Sequence, residues 1–154
     1  MKPDHPMNKI VNWILPLYIA FMFLQSLFFK FSGSEESVII FNTIGTWIAD
    51  IGLPQSFAQG FSNYGGTATG IAELIASILV LIPASRVWGA LAGLLIMSGA
   101  IFFHLFTPLG VVRIVDAAGN NDGGVLFFMA CGVWLSSLAL IYIDRQKLLA
   151  VIGH

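Results

Sequence analysis

Charged side chains are almost absent from four long stretches of the chain, and these stretches predict its architecture. Residues 10–29 carry no charge and would form a helix of about 30 Å, the thickness of a bilayer's hydrocarbon core. Apolar stretches follow at residues 67–82, 87–106 and 124–143, with Glu73 as their one charged residue and His104 as their one histidine. We expect four membrane-spanning helices, the first of them an uncleaved span rather than a signal peptide.

A further helix is predicted between the first two spans, at residues 35–51. Apolar residues recur there close to helical spacing. Glu35 and Glu36 lie in the first turn, where negative charges interact favourably with the helix dipole. Because the segment is short and interrupted by polar residues, we expect it to lie at the outer membrane interface, with Trp47 at headgroup depth. Residues 63–66, Asn-Tyr-Gly-Gly, are expected to form a turn into the second span.

Short connections and small residues predict how the spans pack. The connection at residues 83–86 is short enough to join the second and third spans as an antiparallel hairpin. Two glycine pairs with four-residue spacing, Gly66 with Gly70 and Gly89 with Gly93, would let helix backbones approach closely. The predicted fold is all-α: one transmembrane domain over residues 1–154, a four-helix bundle with an interfacial amphipathic helix between spans one and two.

The basic residues predict the orientation. With four spans, the two termini and the 83–86 turn share one side, which holds five of the seven basic residues: Lys2, Lys9, Arg86, Arg145 and Lys147. Positive residues concentrate on the cytoplasmic side of membrane proteins. We therefore expect a multi-pass membrane protein with both termini in the cytoplasm.

Composition limits the partners. The chain is 57% hydrophobic and only 10% charged, so the lipid bilayer is its first partner. A net charge of −1 without a basic stripe argues against nucleic acid. Cys131 is the single cysteine, which excludes an intramolecular dithiol–disulfide cycle. A partner subunit or a second copy of the chain is expected to accompany it.

Five polar residues in the outer half of the bilayer form the candidate site. An ionisable group inside a span costs roughly 2.5–3.5 kcal/mol and is a functional hypothesis by default. Helical rise places all five in that half and none in the inner half: Gln25, Lys30, Glu73, His104 and Asp122. Glu73 is the deepest of the charged residues, on the small-residue face that should pack inward, and we expect it to pair with Lys30 or His104.

Each candidate also has a structural alternative. Lys30 could reach the outer headgroups, and His104 could be a neutral core histidine bonded to a backbone carbonyl. Asp122 could simply start a helix, and Gln25 could bond a neighbouring helix. If Glu73 and His104 act together, they could exchange protons with a quinone headgroup, which makes quinone the candidate cofactor. No ligand spacing typical of a metal site is present, and none is expected.

Fragments along nearly the whole chain resemble the DoxX-like family of small bacterial membrane proteins. They occur in order: Phe29-Lys30-Phe31, Gly70-Ile-Ala-Glu73-Leu-Ile-Ala, Leu81-Ile82-Pro83, Gly89-Ala90-Leu91, Ser98-Gly99-Ala100, Phe103-His104-Leu105 and Asp122-Gly123-Gly124. The resemblance implies a four-helix inner-membrane bundle associated with redox systems. Relatives include the membrane subunit of thiosulfate:quinone oxidoreductase and partners of oxidative-stress proteins.

Three functions follow as hypotheses. The first is a redox-associated subunit that binds a quinone or another small amphipathic molecule. The second is a proton-coupled small-molecule transporter with Glu73 as its titrating group, although no inverted repeat is evident in the sequence. The third is a structural subunit of a larger membrane complex. The sequence leaves open whether the protein is an enzyme.

Overall fold

The fold is a bundle of long helices. The computed structural model describes the backbone of residues 6–152 and the side chains of residues 12–149. Over this range the helices are α1 (Pro6–Phe31), α2 (Glu35–Asp50), α3 (Gln55–Leu81), α4 (Arg86–Phe106), α5 (Val125–Ile143) and α6 (Arg145–Ile152). Four of them, α1, α3, α4 and α5, are long and apolar enough to cross a membrane. The predicted four-span bundle, with an extra helix after the first span, is confirmed.

The four long helices pack as a closed ring. Helix α1 packs on α3, α3 on α4, α4 on α5, and α5 back on α1. Apolar side chains such as Ile19, Phe23, Val80 and Leu140 fill the centre. Large apolar side chains also cover the outside of the bundle, as expected for a protein whose solvent is lipid.

Helix α3 begins twelve residues earlier than predicted. The sequence indicated a turn at residues 63–66, but these residues are helical, and the helix begins at Gln55. Gly65 and Gly66 serve packing instead of turning, because Phe41 of α2 lies against them. A Cβ at Gly65 would come within 2.6 Å of the Phe41 ring. The predicted start of the second span at residue 67 was therefore wrong.

Helix α2 packs alongside the first half of α3. Ser34 caps it, accepting a hydrogen bond from the Ser37 backbone N–H at 3.3 Å. Its buried face includes Phe41, Ile44 and Ile48. On another face of the helix, the centroid of the Trp47 ring lies 6.3 Å from the centroid of the Phe103 ring of α4. The helix itself is confirmed, and its placement at headgroup depth stays a prediction.

The third span's glycine pair brings helices together as expected. Gly89 faces the backbone of Leu79 and Val80 so closely that a side chain there would collide with it. At Gly93, an added Cβ would lie 2.9 Å from the Ser137 hydroxyl of α5. The Gly89 contact and the packing of α3 on α4 confirm the hairpin predicted from the short 83–86 connection.

One element after the last span was not predicted. Helix α5 ends at Ile143, and the chain continues after Asp144 into the short helix α6. Of the basic residues used for orientation, Lys2 lies outside the described residues, and the side chain of Lys9 is outside the described side chains.

Candidate functional site

A cavity of about 500 Å³ lies between the helices. Helices α1 to α5 all contribute to its wall, with α2 contributing Ile40, Phe41 and Ile44. Most of the 24 lining residues are apolar, and the polar ones are Ser26, Lys30, Thr69, Glu73 and His104. Small-molecule sites are typically cavities of about 300–1,000 Å³ with apolar walls and few polar groups. This cavity has both properties.

Lys30 and Glu73 form an ion pair at the cavity wall. The Lys30 Nζ lies 2.5 Å from Oε2 of Glu73, and Glu73 is only 2% exposed. Ser26, one turn before Lys30 on α1, donates to the same carboxylate oxygen at 2.6 Å and accepts from Lys30 at 3.2 Å. Lys30 thus bonds to side chains within the bundle. It is the partner of Glu73, a choice between Lys30 and His104 that the sequence left open.

The second carboxylate oxygen of Glu73 is available to a ligand. Among the described residues, Oε1 takes part in no hydrogen bond, whereas Oε2 accepts from both Lys30 and Ser26. Since Glu73 lines the cavity, Oε1 is an unused acceptor at its wall. The pair therefore offers a positive donor and a negative acceptor side by side.

His104 contributes a second polar group to the cavity. Its Nδ1 lies 2.6 Å from the carbonyl oxygen of Gly110, which can only accept, so Nδ1 carries the proton. In the neutral ring, Nε2 is then an acceptor, and it bonds to no other described residue. The backbone-bonded arrangement considered for His104 is present, and the residue also lines the same cavity as Glu73.

Comparison with protein-family models, with curated proteins and with solved structures finds no match to this chain. The DoxX-like resemblance therefore stays a prediction.

Gln25 and Asp122 lie outside the cavity wall. The amide nitrogen of Gln25 lies 3.9 Å from the sulfur of Met22 on the same helix, a weak local contact. Asp122 instead precedes α5 and accepts from three backbone N–H groups, those of Arg113, Gly124 and Leu126. Of the five sequence candidates, the structure thus brings Lys30, Glu73 and His104 to one cavity.

Asp122 belongs to a polar cluster that fastens the 107–124 loop to α2. The buried guanidinium of Arg113 pairs with Asp122 on one side and with Glu36 of α2 on the other. Burial raises the pKa of Asp122, but the three backbone N–H groups and the Arg113 charge outweigh it and leave the pKa below its ordinary value. Glu35 of α2 also accepts a hydrogen bond from the Ala117 backbone N–H at 2.7 Å, which is a second contact between the loop and α2.

Sequence reasoning missed Ser26 and Arg113. Ser26 could have been found, because it stands four residues before Lys30 and so shares its helical face. Arg113 stands in the apolar stretch 109–115, and only the folded loop reveals its two acidic partners. Among residues 6–152, no group of three His, Cys, Asp or Glu side chains could hold a metal ion.

Proposed function

We propose that this protein binds a small, mainly apolar molecule with a polar head, within a redox-associated assembly of the inner membrane. The observation that carries the proposal is the cavity of about 500 Å³, with Lys30, Glu73 and His104 at its otherwise apolar wall. Such a cavity suits a ligand taken up from the bilayer. Its apolar part would contact the helices, and its head would meet the three polar side chains.

A quinone is the ligand class that the polar atoms suit best. A quinone carbonyl would accept a hydrogen bond from Lys30, which has three N–H donors. The hydroxyls of the reduced form would donate to Glu73 Oε1 or to His104 Nε2. Oxidation of a hydroquinone releases protons, and a carboxylate and an imidazole are groups able to receive them. We assign this chain the binding of the head and the handling of its protons, with the electrons passing to a partner subunit.

The proposed orientation places both termini in the cytoplasm. Arg86, Arg145 and Lys147 stand at one end of the bundle, while Lys30 and Arg113 stand at the other with five carboxylates outside the spans. The excess of basic residues over acidic ones at the first end supports its assignment to the cytoplasm. The cavity would then open toward the outer half of the bilayer.

The transporter and structural alternatives receive less support. Transporters commonly bind substrate where spans are broken at the membrane midplane, whereas α1, α3, α4 and α5 are continuous helices, even through Pro16. A purely structural subunit would not require a cavity of this size, since protein interiors normally pack without large voids.

Filling the cavity tests the proposal. Gly99 lines the cavity, and a Cβ added there meets no atom within 4 Å, so Gly99→Leu should occupy ligand space without a backbone clash. The matched control is Gly60→Leu, at another helical glycine with open space but outside the cavity. Both proteins are purified in mild detergent, and bound molecules are extracted and identified by mass spectrometry.

We expect the native protein and Gly60→Leu to retain the same quinone or quinone-like lipid, and Gly99→Leu to lose it. Equal retention by the two variants would place the molecule outside the cavity. If the native protein carries no such molecule, and added ubiquinone or menaquinone does not bind, the proposed ligand class is wrong.

A further inference from the structure

A second, smaller pocket lies at the other end of the bundle. Its volume is about 120 Å³, and its wall includes Asn12, Arg86, Asp144 and Lys147. Asn12 and Lys30 are 18 residues apart on the continuous helix α1, which puts this pocket about 27 Å along the helix from the Lys30–Glu73 pair. One buried water needs only about 10–15 Å³, so the pocket can hold a larger polar group.

The guanidinium of Arg86 is buried here, and it pairs with no carboxylate among the described side chains of residues 12–149. Arg86 is 7% exposed, and it donates from Nε to the Val80 carbonyl and from Nη1 to the Asn12 carbonyl. Its third nitrogen, Nη2, is buried and has no hydrogen-bond partner among the described residues. The Trp13 ring, 4.5 Å from the guanidinium carbon, holds the group from another side. Burying a positive charge without a counter-ion costs free energy, and a bound anion would offset that cost.

Asp144 supplies an unused acceptor in the same pocket. Its Oδ1 pairs with Lys147 at 2.9 Å, while its buried Oδ2 has no hydrogen-bond partner among the described residues. The pocket wall carries two positive residues, Arg86 and Lys147, and one negative residue, Asp144, so its described residues have a net charge of +1. The charges and the two unused atoms together fit a group that carries one negative charge and also a hydrogen-bond donor.

We propose that this pocket binds the phosphate of a lipid headgroup that also bears a hydroxyl, such as phosphatidylglycerol. The phosphate accepts from Arg86 and Lys147, and the headgroup hydroxyl donates to Asp144 Oδ2. The pocket lies where α5 ends and α4 begins, beside the exposed apolar side chains of Trp13, Ile82 and Ile143, which would contact the acyl chains of the bound lipid. Basic pockets between spans at the cytoplasmic surface are suited to anionic headgroups.

Lipid titration of the full chain tests this site. The delipidated protein in detergent is titrated separately with short-chain phosphatidylglycerol, short-chain phosphatidylcholine and inorganic phosphate. Native mass spectrometry counts the bound molecules, and the midpoint of thermal unfolding reports stabilisation. The variants are Arg86→Gln and Lys147→Gln, with Arg145→Gln as the control. Arg145 stands at the same end of the chain but lies over Tyr142, outside the pocket.

We expect phosphatidylglycerol to bind the native protein and Arg145→Gln equally, and phosphatidylcholine to bind far more weakly. Arg86→Gln should weaken binding about tenfold or more, as expected for loss of a charge-assisted hydrogen bond. Lys147→Gln removes an exposed charge, should leave folding intact, and should weaken binding about fivefold.

Binding that does not distinguish the two lipids, or that neither variant weakens, would overturn the site. If Arg86→Gln does not fold, the Lys147→Gln result decides. Binding of inorganic phosphate as tight as that of the lipid would retain the anion site but reject the headgroup as its source.

Discussion

Lys30 and Glu73 are 43 residues apart in sequence, yet their charged atoms lie 2.5 Å apart across the contact between α1 and α3. The pair is bordered by Ser26 and faces the cavity. A carboxylate buried this deep in a membrane protein needs a partner, and Lys30 is that partner. The long side chain of Lys30 loses conformational entropy when it forms the pair. The ion pair therefore joins two spans and forms part of the wall where we expect the ligand to bind.

Replacing Glu73 by Gln should separate binding from folding. The amide keeps the volume and can still accept from Lys30 and Ser26, so we expect thermal unfolding in detergent to show a loss of about 1–2 kcal/mol. Glu73→Ala should cost about 3–5 kcal/mol, because it leaves Lys30 without a partner. Retention of the extracted ligand should fall sharply in both variants.

The control for these variants is Gln25→Leu, which changes a polar residue of α1 outside the cavity. It should retain ligand as the native protein does. Unfolding of Glu73→Gln as severe as that of Glu73→Ala would indicate a structural carboxylate instead of a binding one.

The two nitrogens of His104 should have separable roles. An Asn side chain can place its N–H where Nδ1 stands, so His104→Asn should keep the bond to Gly110 and the stability while losing the Nε2 contact to ligand. His104→Phe loses both, and leaving the Gly110 carbonyl unpaired should cost about 1–3 kcal/mol. Thermal unfolding and ligand retention, measured on the same samples, check the two effects. Equal stability of both variants would show that the Gly110 bond contributes little.

Acid should loosen the 107–124 loop through Asp122. The pKa of Asp122 in the folded protein is below its ordinary value of 3.8, so its stabilisation is fully present above that value. It is lost as the pH falls through the lower, folded pKa. Asp122→Asn should abolish this acid-dependent loss and should lower stability at neutral pH by about 1 kcal/mol, the typical net contribution of a hydrogen bond.

Hydrogen exchange of the loop amides against pH measures this effect. The control is Asp50→Asn, which changes an exposed carboxylate at the end of α2. The assignment fails if Asp122→Asn keeps the native acid dependence, or if Asp50→Asn removes it.

Single cysteines should react from opposite sides of the membrane. In a Cys131→Ser background, a cysteine replacing Ala118 stands in the exposed 107–124 loop, and one replacing Ala150 stands in α6. A membrane-impermeant maleimide added to intact spheroplasts should label the first position at once and the second only after lysis. Labelling of both before lysis would contradict the four-span topology, and the reverse pattern would invert the proposed orientation.

The sequence alone determined the number of spans and the inward-facing carboxylate. A run of apolar residues as long as the bilayer is thick has to be helical, because lipid offers no partner for backbone N–H and C=O groups. For the same reason Glu73 was expected on the small-residue face instead of against acyl chains. Both features depend on the local sequence and on the surrounding lipid, and therefore not on contacts between distant segments.

Only the tertiary structure decided what depends on contacts between distant segments. The glycines at 65 and 66 suggested a turn, whereas in the folded chain Phe41 of α2 packs against them within a continuous helix. The choice of Lys30 over His104 as the partner of Glu73 depended on how α1 sits on α3. The cavity, and the separation of Asp122 from it, exist only because five helices and a loop fold together, and no local pattern encodes the space left between them.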